Sequence, residues 1–301
     1  MKIISKVESP GKSVYEDGLL IIEGKDELDI NIFIFDGRRA WAESGDAKKL
    51  CADFNAESTG QMATQFFIKK LKKRVYLMTE ELSSSFGEVL KRYNYDLSRP
   101  EGLPGCAMTA MTINKESRSV FFVHLCDTKI ILFNDQEKIH IPTIDNMDAF
   151  DRKVFRLAVK NAEILGVTPR KAMWEIDYTQ HDSLMDPKIL DYKYRKLENV
   201  DRRAGIGVLN GMSNAGKFQQ SGTIPLGSFN HILVCTDGLS FPCGVDEPAP
   251  WQEMINFLLQ NNFDLEILVQ EIRKREDNDK EFVKYPRFAY HRDATGVLIK
   301  I

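Results

Sequence analysis

Several things are missing from this 301-residue chain. No stretch approaches the ~18 consecutive apolar residues of a membrane span. The opening "MKIISKVESPGKSVYED" holds no apolar core of signal-peptide length, so neither a leader nor an anchor is expected. The five cysteines, at positions 51, 106, 126, 235 and 243, form no CxxC pair and no Cys/His cluster with zinc spacing. That argues against both a disulfide framework and a structural zinc site. A reducing cytoplasm is the simplest location.

Positive charge is not in excess either. With 41 basic and 44 acidic side chains the formal net charge is −3, which offers no broad electrostatic footprint for nucleic acid or for an acidic membrane surface. No repeat of solenoid length recurs, and no linker rich in Pro, Gly or Ser divides the sequence. A single domain spanning 1–301 is expected, with a helical insertion at about 140–200.

What is present is a series of short apolar or alternating runs closed by Gly, Asn or Asp. "DGLLIIEG", "DINIFIFDG", "GCAMTAMTI", "SVFFVHLCD", "KIILFND", "GIGVLNG", "NHILVCTDG" and the final "ATGVLIKI" all carry this strand-and-turn signature. Helical periodicity lies between them. "TGQMATQFFIKKLKKR" places Met62, Phe66 and Phe67 on one side, and "TEELSSSFGEVLKRYNYDL" opens on Thr79 as a cap. "DAFDRKVFRLAVKNAEILGVTP" ends at Gly166 with Pro169 beyond, and "PAPWQEMINFLLQNN" and "DLEILVQEIRKRE" form a late pair. The mixed-charge run "RKREDNDKEFVKYP" is expected to be an exposed loop before the last strand. Blocks of strands and helices point to an α+β, four-layer αββα sandwich: two antiparallel sheets packed together and flanked by helices.

Three motifs compete for the chemistry. "GMSNAGKF", residues 211–218, matches the GxxxxGK part of a phosphate loop, but Phe218 stands where a Ser or Thr would hold magnesium, and no helix follows. A glycine-rich turn fits it better than a nucleotide site. "KKLKKR", residues 69–74, is the solvated face of an amphipathic helix, with no aromatic side chain interleaved on that face to stack on bases. The third motif is a set of acidic residues at strand ends: Glu16-Asp17, Asp36-Gly37, Asp127 and Asp237-Gly238. Any one of them reads as an ordinary turn. Four together can converge on hard cations such as Mg²⁺ or Mn²⁺, which prefer oxygen ligands. Two such ions ~3.5–4 Å apart activate a bridging water against a phosphoryl group without a side-chain nucleophile.

In order, "YEDGLLI", "FIFDGRRA", "GCAMTAMTI", "VHLCDTKIILF", "GVLNG", "ILVCTDGLS" and "RDATGVLI" resemble the PPM-type, or type-2C, metal-dependent serine/threonine protein phosphatases. The resemblance runs from about residue 11 to 301 and fades between 140 and 200. It implies hydrolysis of phosphoserine or phosphothreonine on a protein substrate with two Mn²⁺ or Mg²⁺ ions. Asp36 would bridge both ions with the Gly37 carbonyl as a further ligand, Asp237 would bind one directly, and Glu16 would reach the other through water. Asp127 would serve a third, weaker position. Lys12 stands where some members place a phosphate-gripping arginine, and it offers charge without the bidentate fork.

Two departures stand against this pattern. The family closes on "DNxT" or "DDxT" with the first Asp as a direct ligand, and here that position is Arg292, followed by Asp293. Either Asp293 takes over as ligand, or the guanidinium neutralises Asp36 and Asp237 by pairing. The family's "DGHGG" or "DGMGG" is here "DGRRA", which puts Arg38 and Arg39 beside the site. Two readings follow: an active metal-dependent phosphatase, and a pseudophosphatase that binds a phosphorylated partner without cleaving it.

Overall fold

The computed structural model describes residues 1–11, 14–24, 29–40, 45–73, 78–174, 198–200 and 206–301. Lys12 and the "MWEIDY" stretch from residue 175 onward lie outside them. One sheet takes its strands in the order β1 (Lys2–Ser9), β10 (Ala294–Lys300), β9 (His231–Cys235), β6 (Lys129–Phe133) and β7 (Ile139–His140). The other runs β2 (Gly18–Glu23), β3 (Asp29–Arg38), β4 (Gly105–Asn114), β5 (Ser119–Leu125) and β8 (Gln220–Pro225). All the pairings are antiparallel.

Period-two alternation decides the layers. On β3, Ile30, Ile32 and Ile34 face the other sheet, where they join Ile130, Leu132, Ile232, Val234, Val297 and Ile299 in the central core. The alternate residues Phe33 and Phe35 face outward, onto α2 (Thr59–Lys73) and α3 (Thr79–Arg92), beside the short α1 (Ala47–Phe54). In the same way Ile131 and Phe133 of β6 leave the central core and pack on α6 (Trp251–Gln260) and α7 (Leu265–Asp277). Central strands that are apolar on both faces are what a four-layer α+β sandwich requires.

The 140–200 stretch contributes α4 (Asp148–Leu165) and α5 (Pro169–Trp174). Helix α4 ends where Gly166 turns left-handed at φ 64°, as a glycine stop allows. Val154 and Ala158 of α4 and Met173 of α5 pack with Ala107, Cys126, Ile206 and Val208, beside the turn between β5 and β6. These two helices therefore border the acidic strand ends.

Some expectations are corrected. Thr79 does not cap α3; its hydroxyl is drawn inward and donates to Gln219 Oε1 at 2.6 Å. The described residues 206–211 of "GIGVLNG" make only isolated bridges, Cys106 to Leu209 and Glu198 to Ile206, instead of a strand. The run "RKREDNDKEFVKYP" is not a solvated loop, because its first residues continue α7 to Asp277 and both Asp279 and Phe282 are buried. No helix among the described residues is long and apolar enough to cross a membrane.

Candidate metal centre

Both sheets end at one place. Asp36 lies two residues before the end of β3, Asp127 sits in the turn joining β5 to β6, and Asp237 opens the 3-10 turn Asp237–Leu239 after β9. One carboxylate oxygen from each lies within 4.8 Å of the others. Cys126 holds φ 79°, a left-handed value uncommon for a side-chain-bearing residue, and so turns the chain sharply just before Asp127. Asp127 is buried, and its Oδ1 has no hydrogen-bond partner. Burial, then the charges of Asp237 and Asp145, push its carboxyl up to about 6.

Gly37 allows the loop before β2 to press against β3. A Cβ at Gly37 would stand 2.1 Å from the Glu16 carbonyl oxygen. The carboxylate of Glu16 is buried and already engaged: its Oε1 accepts from Ser58 Oγ and from Arg39 Nε. Arg38 pairs with Glu198 at 2.8 Å, so both arginines of "DGRRA" turn to carboxylates. Asp17 lies beneath, accepting from Thr236 Oγ1 at 2.8 Å; burial and the nearby Asp293 raise its pKa.

At the mouth of β10 the two charged neighbours part. Asp293 is buried and turns toward the loop before β2. Its Oδ1 accepts the Gly11 N–H and its Oδ2 the Glu16 N–H, each at 2.8 Å. Arg292 turns the other way, and its Nη1 donates to Asp237 Oδ2. Burial opposes the charge on this guanidinium. The carboxylates of Asp237, Asp151, Asp36 and Asp127 outweigh it, so the pKa of Arg292 is raised further. Arg273 Nη2 donates to the Arg292 carbonyl and ties the residue to α7. A cleft of about 740 Å³ opens beside this group, between α4 and the segment leading to α6.

No protein-family model and no curated protein sequence matches the chain. Solved structures do resemble it. The serine/threonine phosphatase Stp1 from Staphylococcus aureus superimposes with a TM-score of 0.57 at 12% identity, covering 100% of this chain and 96% of that one. A bacterial serine phosphatase gives 0.53 at 12% identity, with 98% and 95% covered. The serine/threonine phosphatase of S. agalactiae gives 0.51 at 14% identity, with 99% and 98% covered.

The chain has the fold of the PPM-type serine/threonine phosphatases.

Within this PPM fold the acidic donors fit one hard cation better than two. Asp36, Asp127 and Asp237 supply closely spaced oxygens, one of them bare and buried. The other ligands that the sequence resemblance implies are committed elsewhere: Glu16 to Arg39 and Ser58, Asp293 to backbone amides, and one oxygen of Asp237 to Arg292. Three carboxylates and one guanidinium leave a deficit of two positive charges, which a single divalent ion would meet. Lys12 lies outside the described residues. Sequence reasoning gave no roles to Ser58, Thr236 and Thr295. An isolated hydroxyl carries no motif, and their partners are distant in sequence: Thr295 Oγ1 bonds the Tyr15 hydroxyl and Thr236 bonds Asp17.

Proposed function

We propose that this chain is a pseudophosphatase of the PPM fold: it docks serine- or threonine-phosphorylated proteins at the acidic centre and turns the phosphoester over slowly or not at all. The observation that carries this reading is Arg292 paired with Asp237 inside the aspartate cluster. A guanidinium cannot ligate a metal, and close to one it adds repulsion. Its remaining N–H donors suit a phosphate oxygen, because planar forked donors match that geometry. A divalent ion held by Asp36 and Asp127 would supply Lewis acidity toward the phosphoryl group. Around it, Asp237 orients Arg292, and Asp293 holds the Gly11 and Glu16 backbones in place. Residues 1–301 act as one unit in this reading, with 140–200 as the part that selects the partner.

A second reading, the metal-dependent protein phosphatase using Mn²⁺ or Mg²⁺, is favoured by the three gathered carboxylates and the bare oxygen of Asp127. It requires Arg292 to leave Asp237. Calorimetric Mn²⁺ titration together with phosphate release from a phosphothreonine peptide, on wild type and on Arg292→Asp, separates the two. The expected result is one weakly bound ion and negligible release for the wild type, with added metal binding and measurable release for the variant. Wild-type turnover on the order of 1–10 s⁻¹, an ordinary enzymatic rate, would overturn the pseudophosphatase reading.

A further inference from the structure

We propose that Lys129 is a positioning residue for the cation site: paired with Asp145, it holds the turn that carries Asp127 and locks that turn to the start of α4. This rests on the reading that one divalent ion is held at Asp36, Asp127 and Asp237, and it adds which side chain keeps that site in shape and what moves with it. Lys129 opens β6, two residues past Asp127, and its side chain is 7% exposed. An ammonium buried that far needs partners. Its Nζ donates to the Asp127 carbonyl at 3.1 Å and to Asp145 Oδ2 at 2.7 Å, so one head group spans the turn and the segment before α4. The second oxygen of Asp145 is engaged as well. Oδ1 accepts the Met147 N–H at 2.7 Å and the Asp148 N–H at 3.0 Å, where α4 begins.

Further contacts tie the same two pieces together. His124 Nε2 lies 3.1 Å from the Cys126 carbonyl and 3.3 Å from the Ile144 carbonyl. The Gln220 side chain accepts the Ile144 N–H at 2.8 Å and donates to the Ile144 carbonyl at 2.7 Å. Residues 144–148 are thereby anchored to the sheet through Gln220 and to the Asp127 turn through His124 and Lys129. Lys129 grips Asp127 by its main chain and leaves the carboxylate Oδ1 bare. Support of this kind, one step behind a ligand, aims the ligand without competing for its oxygens.

Charge alone would disfavour a lysine here, because an ammonium so close repels an arriving cation. A lysine that served only charge balance or packing would weaken the site, and its removal would tighten Mn²⁺ binding. A lysine that positions Asp127 gives the opposite sign.

Calorimetric Mn²⁺ titration of the wild type and of Lys129→Met reads that sign. Methionine resembles the lysine stem in length, and Asp145, 22% exposed, can turn to water. The variant is expected to bind Mn²⁺ about tenfold more weakly in spite of losing a positive charge, the scale usual for a residue that supports a ligand. Hydrogen exchange in the first turn of α4 should be slowed by Mn²⁺ in the wild type and indifferent to it in the variant. Equal or tighter Mn²⁺ binding by Lys129→Met would overturn the positioning role. Should that variant fail to fold, Asp145→Asn, which keeps an acceptor for the α4 amides and removes the charge that holds Lys129, tests the same link: Mn²⁺ should no longer slow exchange in α4, and slowing equal to the wild type's would overturn the lock. A wild type that binds no Mn²⁺ would remove the cation site and the positioning role together, whereas wild-type binding that neither variant alters would remove the positioning role alone.

Discussion

Cys126 shows how a single residue aims the site. At φ 79° its backbone adopts a conformation that costs a residue with a Cβ on the order of 1 kcal/mol or more, and that glycine adopts freely. The usual ranking of substitutions should therefore invert. Cys126→Ala loses the buried thiol and keeps the strain, whereas Cys126→Gly loses the thiol and removes the strain. Urea denaturation should find the glycine variant the more stable by about 1 kcal/mol, the reverse of the normal Ala-over-Gly order. An alanine variant more stable than the glycine variant would contradict the left-handed assignment. The left-handed turn at Cys126 left no mark in the sequence, whereas Asp36, Asp127 and Asp237 were legible, since each stands at the end of an apolar run. The engagement of Glu16 by Arg39 and Ser58 was not, because which carboxylate a surface arginine meets depends on packing between loops.

At the scale of elements, the segment between α7 and β10 illustrates what charge patterns conceal. Its letters resemble a solvated loop, yet it is built around one buried ion pair. Arg287 donates to Asp279 Oδ2 at 3.2 Å and to the carbonyls of Glu276, Asp279, Tyr285 and Tyr290. Asp279 in turn accepts the N–H groups of Val283, Lys284 and Tyr285. The guanidinium also lies 4.1 Å over the Phe282 ring. Arg287→Met keeps much of the volume, leaves the buried Asp279 carboxylate without its cation and takes one donor from each of four carbonyls. A loss of about 3 kcal/mol or more is expected in chemical unfolding, the usual cost of removing one partner from a buried pair. Because this segment delivers Arg292, the variant should also change the Mn²⁺ titration. A surface-like loss under 0.5 kcal/mol would show the loop to be held by something else.

Strands misjudged from sequence have comparable causes. β1 and β8 sit at sheet edges and are half exposed, so their polar letters hid them. "GIGVLNG" looked like a strand, but the Asn199 side chain takes the place of a strand neighbour: it bonds both the Val208 carbonyl, at 2.7 Å, and the Val208 N–H, at 3.1 Å.

For the whole molecule, the sandwich was readable from the blocks of strands and helices along the chain, and the division of strands between sheets was not, because antiparallel pairing leaves no local mark. His124 shows how the buried frame couples to pH. It lies on β5 with Nδ1 2.9 Å from Thr109 Oγ1 and Nε2 3.1 Å from the Cys126 carbonyl. A neutral ring carrying its proton on Nε2 satisfies both contacts, accepting at Nδ1 and donating at Nε2. Burial, and then the nearby positive charge of Lys129, lower its pKa to about 3. The ordinary value in an unfolded chain is about 6.5. Below that value the unfolded chain binds a proton that the native state refuses, so this contribution to stability is complete above pH ~6.5 and is lost progressively as pH falls toward 3, with a slope of up to about 1.4 kcal/mol per unit. Asp127 acts in the opposite sense between its ordinary 3.8 and about 6, where the native carboxyl keeps a proton that the unfolded one has released. Comparison with His124→Gln isolates the histidine from that opposing term. Between pH 6.5 and 4.5 the wild type should lose stability more steeply than the glutamine variant, read from urea midpoints at each pH, whereas parallel profiles would mean that His124 takes up its proton without leaving the fold.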